Sequence, residues 1–125
     1  MISFHFETDV NAAVFEVVGE FSVANYLEVM ERFMHSDGFY PGIDAIWDVR
    51  QAVTDALTAE DIQSIAEHTR KIAATRGPKW KVAIIVGTDA DYGMSRMYQA
   101  YAGSTPTEVM VFRSMSDART WISAD

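Results

Sequence analysis

Ile2, Phe4 and Phe6 alternate with Ser3, His5 and Glu7, the period of two that turns one face of a strand to a core and the other to water. Ala13 to Gly19 reads as a second strand. The link Thr8 to Ala12 contains Asp9 and Asn11, which is turn chemistry, so the two strands are predicted to form an antiparallel hairpin. From Ser22 the period changes: Val23, Tyr26, Leu27, Met30, Phe33 and Met34 recur at three-and-four spacing. This predicts a helix capped by Ser22 and stopped by Gly38, with Phe21 and Tyr26 placed for a hydrophobic staple. Ala45 to Val49 is a third strand, apolar on both faces, and a strand buried on both sides implies a parallel position covered by helices.

A second helix opens at Thr58 with Ile62, Ile65, Ala66, Thr69, Ile72 and Ala73 as its inner stripe. Acids Glu60 and Asp61 suit its start, bases Arg70, Lys71 and Arg76 its end, and Gly77-Pro78 terminates it. Lys81 to Gly87 is a fourth strand. Asp91 to Ala102 is a third helix, predicted to bury Met94, Met97, Tyr98 and Tyr101. Thr107 to Arg113 is a fifth strand, and Ser116 to Ile122 a last helix docking Ala118, Trp121 and Ile122. The order ββαβαβαβα predicts one α/β sandwich domain over residues 1–125. Its mixed sheet has an N-terminal antiparallel hairpin, and helical crossovers force strands three to five parallel.

Composition narrows the classes. Hydrophobic residues at 49% and charged ones at 22% exclude a disordered or low-complexity chain. Ten bases against 18 acids leave a net charge of -8, which argues against nucleic acid as the main partner. The absence of cysteine excludes a disulfide scaffold, a thiol nucleophile and Cys-ligated metal sites. The longest aliphatic run is Val82 to Val86, and Met1 to His5 lacks a basic region followed by an apolar stretch. Neither a membrane span nor a signal peptide is expected, and the predicted location is the cytoplasm.

The element order resembles the SpoIIAA-like branch of the STAS fold (sulfate transporter and anti-sigma-factor antagonist). The residues that carry the resemblance are Ile46 to Arg50 closing the third strand, Lys81 to Val86 as the fourth, and Val111-Phe112-Arg113 followed by Asp117 to Ile122. It spans nearly the whole chain and implies a small binding or regulatory module, in some branches with a phosphorylation-controlled protein partner. By structural analogy it also implies kinship with the lipid-binding lobe of Sec14-type proteins. The family's phospho-acceptor stretch, Asp-Ser-Ser/Thr-Gly after the third strand, is missing. Its acceptor position falls near Thr58, whose neighbours are Ala56, Leu57 and Ala59. Thr58 therefore reads as an N-cap, with Asp61 in capping-box position.

Candidate chemistry is sparse. His5, His35 and His68 form no pair at helical ligand spacing, so no metal is expected. The loop from Gly87 to Ser95 has neither the glycine spacing nor the lysine of a phosphate-binding loop, and Gly93 to Met97 lacks the second glycine of a nucleophile elbow. No cofactor is implied. Residues 1–62 hold 12 acids and 2 bases, residues 63–125 hold 6 acids and 8 bases. Arg70, Lys71, Arg76, Lys79 and Lys81 could meet an acidic partner or anionic membrane, although helix-end complementarity already accounts for several of them, and a membrane surface is not the expected partner.

The remaining constellation is Asp48, Arg50, Thr88, Tyr92, Arg96 and Arg113. These residues are predicted to share a rim at the carboxyl ends of strands three to five, where open parallel sheets place ligands. Tyr92, Arg96 and Gln99 are expected on the outward face of the third helix. Three arginines favour a small anionic or amphipathic molecule. The reading is a non-enzymatic binding or regulatory module for such a ligand or a protein partner. The alternatives are an enzyme using Asp48, Arg50, Tyr92 and Arg96, and a Sec14-like lipid binder. Phe39 to Ile43 is an apolar loop, which makes a homodimer conceivable.

Overall fold

The hairpin forms as its alternation requires. In the computed structural model, which describes residues 1–124, β1 (Ile2–Glu7) pairs antiparallel with β2 (Ala12–Glu20), Phe4 facing Phe15. The turn between them uses Asn11 at φ 54, a left-handed conformation that asparagine tolerates. The remaining elements are α1 (Val23–Met34), β3 (Asp44–Val53), α2 (Ala59–Lys71), α3 (Ala73–Arg76), β4 (Trp80–Ile85), α4 (Asp89–Tyr101), β5 (Thr107–Phe112) and α5 (Met115–Ser123). The sheet order is β1-β2-β3-β4-β5. Strands three to five are parallel as expected, and β2 joins them in parallel.

Each crossover steps the same way along the sheet, and the uniform right-handedness of such connections puts α1, α2 and α4 on one face. The main core lies there: Phe15, Trp47, Trp80, Val82 and Ile84 meet Tyr26, Val29, Phe33 and Ile65. Alternate residues of the same strands, Val14, Ile46, Ala83 and Ile85, point the other way and are covered by Ala118 and Ile122 of α5. Arg119 of α5 reaches β1, donating through Nε and Nη2 to Glu7 at 3.0 and 2.7 Å. That bond holds the Glu7 carboxyl below the usual range.

Local signals worked where they were self-contained. Ser22 accepts from the Asn25 N–H at 3.1 Å. Phe21 and Tyr26, predicted to pack on each other, each lie against Trp47 of β3, with centroids 6.1 and 5.8 Å from it. Thr58 accepts from the Asp61 N–H at 3.1 Å while the Asp61 carboxylate accepts the Thr58 N–H at 3.0 Å, the reciprocal capping box. Four readings change. First, α1 ends at Met34 with His35 as C-cap, not at Gly38; Gly38 lacks a side chain because a Cβ there would lie 2.5 Å from the Phe6 ring. Second, β3 runs on to Val53. Third, the second helix breaks at Ile72, and α3 turns Arg76 inward to 2% exposure, so Arg76 is no part of a basic surface. Fourth, α4 starts at Asp89 and is rotated from its expected orientation: Asp91 and Ser95 are buried, because Thr54 donates to the Asp91 carboxylate at 2.5 Å and satisfies it inside.

Candidate functional site

The six rim residues separate into two groups. Asp48 alternates with Ile46 onto the face that α5 covers, and it accepts from Arg50 Nε and Nη2 at 2.9 and 2.8 Å. The pair holds the Asp48 carboxyl below, and the Arg50 guanidinium above, their ordinary values. The second group surrounds the start of α4. Thr88 is its N-cap, accepting from the Asp91 N–H at 3.1 Å. Arg96 Nη1 reaches the Tyr92 hydroxyl at 3.4 Å. Arg113 lies 5.1 Å from the Tyr92 ring centroid and donates to Asp89 at 2.8 Å. No hydrogen bond or ion pair links the two groups among the described residues. Gln99, expected to face outward, instead donates to the Val109 carbonyl at 2.6 Å. The sheet steps in one direction throughout, so it lacks the reversal of strand order that parts neighbouring helices and opens a crevice.

One concave feature of the fold lies between the sheet and α1, α2 and α4. It is a cavity of about 100 Å³. The aromatic and aliphatic side chains of the main core make most of its wall, among them Phe33, Trp47, Ile65, Trp80 and Tyr98. Phe15 stacks flat on Trp47 at 4.3 Å, which sets the floor. The cavity exists because rigid rings from the sheet meet helices tied to one another by polar bonds. Tyr98 and Thr69 hydroxyls lie 2.7 Å apart, joining α4 to α2, and the Tyr26 hydroxyl lies 3.0 Å from His68 Nδ1, joining α1 to α2. Burial pushes both phenols upward, so they stay protonated, and lowers His68.

The two ends of the cavity differ. One lies at the amino ends of β3 and β4, where Arg76 Nη1 donates to the Ile43 carbonyl at 2.7 Å and the Gly42 N–H donates to the Arg76 carbonyl at 2.7 Å. The other lies at the carboxyl ends of the strands, with Thr54, Leu57, Asp91, Met94 and Ser95. Sequence reasoning passed over Arg76 because a base at a helix end needs no further account. Its spacing held the signal: Ile65, Thr69, Ile72 and Arg76 recur at four, three and four, which continues the inner stripe. The apolar loop before β3 is also turned inward, Phe39 packing on Phe33 at 5.1 Å and Ile43 buried, with Tyr40 left exposed.

Among the described residues no three metal-ligating side chains converge, and no helix is long and apolar enough to cross a membrane. No family model matches the chain, and no curated protein matches it. A solved structure does: an uncharacterized protein of the DUF3478 family with a SpoIIAA-like fold, from Shewanella loihica PV-4. It is 20% identical, with a TM-score of 0.63 over 98% of this chain and 92% of that one. At that identity the likeness speaks for architecture alone, and the chain has a SpoIIAA-like fold.

Proposed function

We propose that this chain is a non-enzymatic binding module that takes a small amphipathic molecule into the cavity between the sheet and α1, α2 and α4. The observation that carries this reading is the cavity itself, about 100 Å³ of space within a wall that is overwhelmingly apolar. Protein interiors are close-packed, so space on this scale loses contact energy unless something occupies it. A cavity of roughly 150 Å³ with an aliphatic and aromatic lining holds benzene, so the smaller space here suits a short, slender alkyl chain rather than a ring. The rim of Tyr92, Arg96 and Arg113 adjoins the Asp91 end through α4, where it would meet a protein partner that senses occupancy.

Trp47 and Trp80 both line the cavity, so tryptophan fluorescence reports its filling. Titration with 1-hexanol should give a saturable change, and Ala45→Leu, which puts bulk into the cavity wall, should abolish it while the protein stays folded. A linear, non-saturating response in the unaltered protein would overturn the reading.

A further inference from the structure

Arg76 brings a charge to the inner end of the cavity that no carboxylate among the described residues pairs with directly. It is 2% exposed, and its guanidinium lies 4.8 Å from the Trp80 ring centroid and 5.4 Å from that of Phe33. Nη1 donates to the Ile43 carbonyl. Nε and Nη2 have no hydrogen-bond partner, and the side chain makes no ion pair, among the described residues. Asp44 is the carboxylate whose field acts on it, yet Asp44 Oδ1 already accepts the Lys81 N–H at 2.7 Å. Burial lowers Arg76 to about 10, which still leaves it charged at neutral pH.

Several of the wall's other polar groups are matched with one another. The Tyr26 hydroxyl lies against His68, the Tyr98 hydroxyl against Thr69, and Thr54 donates to Asp91. A buried cation without a counter-ion is costly, and a carboxylate that takes its free edge removes that cost. The Nε–Nη2 edge of a guanidinium matches the two oxygens of one carboxylate.

We propose that the molecule bound in this cavity is a short apolar monocarboxylic acid, its carboxylate held by Nε and Nη2 of Arg76 and its hydrocarbon in the rest of the cavity. This rests on the cavity reading above and adds the chemical class. One guanidinium balances one negative charge, whereas a phosphate monoester would carry an uncompensated second charge into an apolar interior. Orientation follows from the two ends: Asp91 repels a carboxylate, so the acid lies with its head toward Arg76.

Hexanoate and 1-hexanol, which share a chain and differ in charge, separate the two claims. In the unaltered protein hexanoate should bind at least tenfold more tightly by calorimetry, and the Arg76 Nε–H resonance should shift on its addition and stay in place with 1-hexanol. Arg76→Met should weaken hexanoate at least tenfold and leave 1-hexanol bound. Equal affinities with an unmoved Arg76 resonance, or hexanoate affinity unchanged in Arg76→Met, would overturn the carboxylate assignment while sparing the cavity. Failure of both probes to bind would overturn the cavity reading too. Should Arg76→Met not fold, the resonance and the affinity ratio in the unaltered protein decide.

Discussion

Replacing Gly77 by alanine tests how Arg76 is held. Gly77 has φ 122 and ψ 172, a conformation open essentially to glycine alone, and forcing another residue into it costs of order 1–3 kcal/mol. A Cβ there would stand 2.5 Å from Gly42 N and 3.0 Å from Pro41 C. Both are backbone atoms that cannot rotate away, and overpacking of this kind adds about 1–3 kcal/mol. The sum, roughly 2–6 kcal/mol, is a large part of the 5–15 kcal/mol typical of a domain's stability. Gly42→Ala is the internal control. Gly42 also has positive φ, 93, but its Cβ would meet nothing closer than the Lys79 carbonyl at 3.7 Å, so only the conformational cost applies. Urea unfolding followed by tryptophan fluorescence, with m-values compared, should place Gly77→Ala below Gly42→Ala by at least 1 kcal/mol. Equal losses, or a loss under 1 kcal/mol for Gly77→Ala, would refute the claim that contact with the Pro41-Gly42 backbone demands a glycine.

The opposite sign is expected at Gly93, which lies inside α4 with nothing within 4 Å of its Cβ position; Gly93→Ala should raise stability by about 0.8–1 kcal/mol in the same assay. Thr58→Ala removes half of a capping box and should cost about 1 kcal/mol, with hexanoate binding unchanged in calorimetry. Burial keeps the native value of His68 below 6.5, so as pH falls through 6.5 the unfolded chain takes a proton first. His68 therefore contributes a loss of stability that begins there and ends once the native ring is also protonated; unfolding curves at pH 7.5, 6.5 and 5.5 should show this slope, and His68→Gln should flatten it. Arg119→Ala breaks the bond to Glu7 and should cost about 0.2–1 kcal/mol, with a smaller loss at high salt.

Features decided within a few residues were legible in the sequence: the hairpin, the Ser22 and Thr58 caps, and the crossovers that make the sheet parallel. What escaped was settled by partners far along the chain. Asp91 looks like a solvent-facing residue of a helix start until Thr54, 37 positions earlier, arrives to satisfy it and lets α4 rotate. Arg76 looks like the positive end of a helix until the Ile43 carbonyl and two aromatic rings receive it. The cavity has no signature at all, because apolar patterning says which side chains turn inward and not whether their volumes fill the space between sheet and helices.

A sheet whose spatial order repeats its order in the chain can be laid down as the chain is made. β1 and β2 need only their own turn, and each later strand is added at the outer edge of what exists, never inserted between two others. The segments that must loop back, 21–43, 54–79 and 86–106, are of similar length, so their closure costs differ by well under the ~0.6 kcal/mol that doubling a loop would add. Synthesis therefore passes through a series of smaller sheets, each with one unfinished border. The most exposed moment comes late: a nascent chain paused once β4 has left the ribosome but β5 has not carries a border formed by β4, Trp80–Ile85, open along its whole length until β5 emerges. Such paused chains, rather than the finished protein, are where chaperones should be found bound.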